Sequence, residues 1–112
     1  MIKLSTTHSF EGYEITKYVD IVYESIVFGT NIFSDLLASF SDVFGGKSQS
    51  YQKQLNRLRA EALKSISSIA QEKGANAIVG LKIDFDELSG AGKSMFMLNV
   101  SGTAVVIEKK IN

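Results

Sequence analysis

The 112-residue chain has no cysteine, no proline, a single histidine and no excess of either charge. Each absence removes a class of reading. Without cysteine there is no disulfide, no thiolate metal site and no cysteine nucleophile, and the redox compartment is left open. The lone imidazole, His8, cannot build a two-histidine metal site or proton relay within one subunit, although symmetry could bring several copies together. Twelve basic and twelve acidic side chains cancel, so no long-range field draws the chain to nucleic acid or to an anionic membrane. No stretch of about 18 apolar residues is free of charge, since Lys17, Asp20 and Glu24 interrupt the best candidate, and a spanning helix is not expected. The opening MIKLSTTHSFEGYE lacks both a long apolar core and a small-residue cleavage site, so the expected location is cytoplasmic. With no proline, every turn must come from Gly, Asn, Asp or Ser.

What is present organises itself around one helical stretch, Ser50 to Lys73. Tyr51, Leu55, Leu58, Ala62, Ile66 and Ile69 recur at steps of four and three, Leu63 and Ala70 widen the stripe, and charged or amide side chains occupy the remaining positions. Ser48 or Ser50 can accept from the first unpaired amides, and Gly74 after Lys73 supplies a left-handed stop. A second helix is predicted over NIFSDLLASFSDVF, with Phe33, Leu36, Leu37, Phe40, Val43 and Phe44 forming its apolar side and Gly45-Gly46 ending it. Extended segments flank this pair. Ile2 to Thr7 reads as a short strand closed by the turn-prone Glu11-Gly12. Glu14 to Phe28 is rich in β-branched and aromatic residues on both parities. After Gly74, Ala77, Val79, Leu81, Ile83 and Phe85 alternate with Ile78, Gly80, Lys82, Asp84 and Asp86. The last strand, Met95 to Ile107, follows a hairpin connection at Ser89 to Gly92.

This order predicts a single α+β domain over residues 1–112. It would be a two-layer sandwich in which a mainly antiparallel sheet of about three long strands, plus a short N-terminal strand, is packed by two consecutive helices. Strands that are apolar on both parities must be covered on both faces, and local helices can cover only one. A homo-oligomer that buries the second face is therefore expected. Gly80 and Gly102, inside predicted strands, mark places of close approach.

Candidate sites are few. The Gly45, Gly46, Lys47 and Ser48 bend is not a phosphate loop, because Ser41 stands where the pattern requires another glycine and a helix rather than a strand precedes it. Two glycines leading into a helix can still turn amides toward an anion or other small ligand, with Lys47 adding charge. The bland reading is a helix-to-helix bend. Asp84, Asp86 and Glu87 place two carboxylates on one strand face and one on the other, an oxygen set that could hold a divalent metal; symmetry-related copies of His8 are the alternative ligands. Its bland counterpart is a solvated strand end. No serine sits in a nucleophile elbow and no Ser, His and Asp set can be assembled, so catalysis is not expected.

Five stretches together resemble the small bacterial YbjQ-like family, long labelled a heavy-metal-binding domain. They are Ser5-Thr6-Thr7 with Glu11-Gly12 and Ile15; Gly29 with Asn31-Ile32-Phe33 and Asp35; Gly45-Gly46 before Ser48 and Tyr51; Gly74-Ala75-Asn76-Ala77-Ile78-Val79-Gly80; and Val100-Ser101-Gly102-Thr103-Ala104-Val105. The resemblance runs nearly full length. It implies a ring subunit that assembles into a homo-oligomer, a pentamer, and it implies no established reaction. Ser34 and Lys47 stand where arginines are common in that family, which removes two forked donors for carboxylate or phosphate. The metal label sits poorly with this chain, whose soft ligands are reduced to His8 and scattered methionines.

Overall fold

The computed structural model describes residues 2–29, 47–90 and 93–111. Strand β1 (Lys3–Leu4) is followed by β2 (Tyr13–Gly29), helix α1 (Lys47–Glu72), β3 (Ala77–Gly90) and β4 (Lys93–Lys109). They form a four-stranded sheet in the order β1-β3-β4-β2, with α1 across one face. The sheet is mixed rather than wholly antiparallel, because β1 pairs with β3 in parallel while β3 with β4 and β4 with β2 are antiparallel. One helix is described where two were expected; the stretch Asn31 to Phe44 lies outside the described residues.

Helix α1 begins at Lys47, three residues before Ser50, so Lys47 and Ser48 belong to its first turn rather than to a bend. From Leu58 onward its apolar stripe is the one the spacing predicts. Ala62, Ile66 and Ala70 are buried, with Leu58, Leu63 and Ile69 packed at their margins. The far end closes as a Schellman motif. The Ala75 amide donates to the Ala70 carbonyl and the Gly74 amide to that of Gln71, with Gly74 at φ 91°, a conformation only glycine adopts without strain. Ala70 and Ala75, both buried, bring the two sides of this cap together.

The residues after the cap have separate duties. The Asn76 side chain acts as a mock peptide on β4, its Nδ2 donating to the Ile107 carbonyl at 3.0 Å and its Oδ1 accepting from the Ile107 amide at 2.7 Å. At Gly80 the alternation expected for β3 breaks. Val79 pairs with Thr103 and Lys82 with Ser101, so Gly80 and Leu81 together face Gly102, and Gly80 takes a φ of 62°. The bulge shifts the parity: Ile78, Leu81 and Ile83 all face the helix, whereas Ala77 and Val79 face away from it. Unbroken alternation would have put Leu81 and Ile83 on the side of Val79. Gly102 marks the close approach predicted for it, since a Cβ there would lie 2.5 Å from Ile78 Cγ2 and 3.2 Å from the Val79 carbonyl oxygen.

Two cores result. The larger lies between α1 and the sheet and includes Val22, Ile66, Ile78, Leu98, Val100 and Ala104. The smaller sits on the opposite face, where Phe10, Tyr13 and Ile15 pack on Ala77, Val79, Val105 and Ile107. The N-terminal segment forms this second cover. After β1 it continues along β3 through Ser5 N to Ile78 O, Leu81 N to Ser5 O and Gly80 N to Thr7 O, then turns at Gly12, whose φ is 83°.

Candidate functional site

Beyond the smaller core, the face of the sheet turned away from α1 is left uncovered by the described residues. Register places Tyr18, Ile21, Tyr23, Ser25 and Val27 of β2 on it, beside Val105, Thr103, Ser101, Asn99 and Met97 of β4. A bulge in β2 between Tyr18 and Asp20 brings Tyr18 and Ile21 to the same side although their numbers differ in parity, and one between Ile15 and Lys17 does the same for Ile15 and Tyr18. The result is an apolar row on a 17-residue edge strand. Tyr18 is 70 % exposed, Ile21 69 % and Tyr23 72 %, with Val27 about half so.

A polar line crosses the same face. The Ser25 hydroxyl donates to Asn99 Oδ1 at 2.5 Å, and Asn99 Nδ2 donates to Asp86 Oδ2 at 3.1 Å, linking β2, β4 and β3. Asp84 lies beside them, opposite Asn99 in register, with Lys82 Nζ 3.7 Å from its Oδ2. All of these groups are wholly or partly exposed. The line is held together by amide and hydroxyl hydrogen bonds among these side chains.

The edge of β2 is tied to α1 on the helix side. Ser65 Oγ donates to Glu24 Oε2 at 2.6 Å, and Lys73 Nζ lies 3.0 Å from Asp20 Oδ2. The hydrogen bond from Lys73, then that from the Ile21 amide and the Lys73 charge, hold the Asp20 carboxyl below its ordinary pKa. Around this tie, Asp20, Ile21, Val22, Tyr23, Ile69 and Lys73 line a surface groove of about 550 Å³.

The residues singled out from the sequence are spread apart. Asp84 and Asp86 share the outer face while Glu87 alternates to the other. His8 is exposed at the Gly80 bulge, where a Cβ on the glycine would lie 3.8 Å from its Nδ1. Among the described residues no three His, Asp or Glu side chains gather in a way that could hold a metal ion. Gly45 and Gly46 lie outside the described residues, and Lys47 and Ser48 are placed by their backbone in the first turn of α1. Asn99 and Ser25 were missed by sequence reasoning. A lone polar residue in a strand carries no signal until register sets it beside its partner on the next strand.

Fold and surface together define a class: a small α+β domain with a long, apolar-faced edge strand. A family model described as "Putative heavy-metal-binding" matches residues 2–108, and the chain belongs to this YbjQ family, whose curated relatives are named UPF0145 proteins. It is 41 % identical over 104 residues to a UPF0145 protein of Pasteurella multocida (strain Pm70), covering 93 % of this chain and 97 % of the other. It is 44 % identical over 110 residues to one from Bifidobacterium longum subsp. infantis, covering 98 % and 99 %. A crystal structure of a protein of unknown function from Pediococcus pentosaceus ATCC 25745, assigned to the DUF74 family, shares the fold with a TM-score of 0.62 at 18 % identity, over 96 % of this chain and 98 % of that one. No helix among the described residues is long and apolar enough to cross a membrane.

Proposed function

We propose that this protein works as a homo-oligomeric binding or structural subunit, a pentamer, in which a second copy covers the outer face of β2. The observation that carries this reading is the exposed row of Tyr18, Ile21, Tyr23 and Val27. Isolated exposed apolar side chains are ordinary, but a row of them along a strand edge that the described residues leave unpaired is a liability that proteins usually cover. Closing it stabilises the assembly through apolar burial at roughly 25 cal/mol per Å² of surface removed from water. The polar line from Ser25 through Asn99 to Asp86 would then lie at or beside the seam, where small polar ligands could bind. Sedimentation or native mass spectrometry at micromolar concentration should find an oligomer. Tyr23→Asp should shift it strongly toward monomer, and a wild-type monomer at that concentration overturns the reading.

A second reading follows from the family description: Asp84 and Asp86, on one face, contribute to a metal site completed by other copies. This donor set is hard and oxygen-rich, which suits a divalent cation of the calcium or magnesium type and not a soft heavy metal. Calorimetric titration should then show heat with such a cation that Asp84→Ala abolishes; equal heats for both proteins reject it.

A further inference from the structure

The sheet holds a concavity on its helix side that the oligomeric reading does not use. Leu55, Leu58, Arg59, Ile83, Phe85 and Leu98 line a pocket of about 250 Å³ between the N-terminal half of α1 and the β3–β4 hairpin. The later turns of α1 are buried against the sheet at Ala62, Ile66 and Ala70, whereas nearer its start Leu55 and Leu58 are only half-buried and Phe85 stays partly exposed. Among the described residues the lining is apolar except for one cation.

That cation is poorly matched by its surroundings. Arg59 Nη1 donates to the neutral Asn56 Oδ1 at 3.2 Å, while the ion pairs of the described residues join Arg57 to Glu61, Lys73 to Asp20 and Lys82 to Asp84. Among the described residues nothing else accepts from this exposed guanidinium, so most of its five donors are left to water or to a ligand. An apolar cleft with an unmatched fork of donors at its rim suits an anion whose body is apolar and whose head is planar.

We propose that this pocket binds a short- to medium-chain monocarboxylic acid, its hydrocarbon chain against Leu55, Leu58, Ile83 and Leu98 and its carboxylate on Arg59. In an open pocket of about 250 Å³ the hydrocarbon chain is short, and hexanoate is a fitting probe. A ligand this small binds weakly, with dissociation constants on the order of 0.1 to 1 mM. The site lies within one subunit, so it stands whether or not the oligomeric reading does.

The test is a titration of the methyl-labelled full chain with hexanoate, with 1-hexanol as the uncharged control and oligomeric state measured in parallel by light scattering. Hexanoate should produce saturable shifts concentrated on the Leu55, Leu58, Ile83 and Leu98 methyls and bind at least about tenfold tighter than hexanol. Arg59→Gln, a good helix former at an exposed position, should keep the fold and lose about tenfold in hexanoate affinity, while Arg59→Lys keeps part of it. No saturable shift up to about ten times the expected dissociation constant overturns the proposal. Unchanged affinity in Arg59→Gln, or hexanol binding as well as hexanoate, overturns it equally. A monomeric wild type in the scattering trace would remove the oligomeric reading alone.

Discussion

The two faces of the sheet are built from the same kinds of residue and end in different states. On the helix side Val22, Val100 and Ala104 are shut off from water and cluster with Ala62, Ile66 and Ala70. On the other side, Val105 and Ile107 are equally buried, but only because Phe10, Tyr13 and Ile15 reach over them. Where that cover ends, Ile21 and Tyr23 stand in the open on the same face. Apolar alternation therefore marks which side chains can be buried; cover from elsewhere in the chain decides which are.

The sharpest way to break this contrast is on the covered side. Ile66→Ala should cost about 2 to 5 kcal/mol by denaturant titration, because it opens a cavity under a fully buried side chain. Gly102→Ala should cost less, about 1 to 3 kcal/mol, since its new methyl lands on Ile78 and the Val79 carbonyl where β3 bulges toward β4. A stability equal to wild type would show that the two strands have room to part. The tie between β2 and α1 should appear in pH dependence. The folded pKa of Asp20 is depressed, so its contribution is present above the unfolded-state value and is lost as pH falls through the folded one. Stability should therefore decline on acidification below about pH 4, and Asp20→Asn should flatten that slope while leaving other carboxylate effects in place. The smallest effect should come from the solvent side of the helix, where Lys64→Ala should change stability by under about 0.5 kcal/mol.

Much of this was legible beforehand. The stripe through Leu58, Ala62, Ile66 and Ile69 sits against the sheet as its spacing requires, and Gly74 ends the helix as its lack of a Cβ allows. The family was readable too, and the structure gives its Gly74 to Gly80 stretch a physical content. One glycine caps the helix, Ala75 packs under the cap, Asn76 clamps β4, and a second glycine makes the bulge. Less legible was the parity of β3. A left-handed glycine within a strand reverses the face of everything after it, and nothing in the alternating letters announces this. The candidate site was fainter still, because Ser25, Asn99 and Asp86 are far apart in the chain and meet only through strand register.

By itself, then, the amino-acid sequence determined the local choices: which stretches of the described residues are helical or extended, which side chains are apolar, and the family to which the chain belongs. Those follow from short-range periodicity and from the conformational freedom of single residues. The tertiary structure alone decided the strand order, the bulges that set each face, the cover over Val105 and Ile107, and the open row at Tyr18, Ile21 and Tyr23. Burial is a property of what lies opposite a side chain, and a residue's neighbours across the sheet are fixed by pairing between segments distant in the chain.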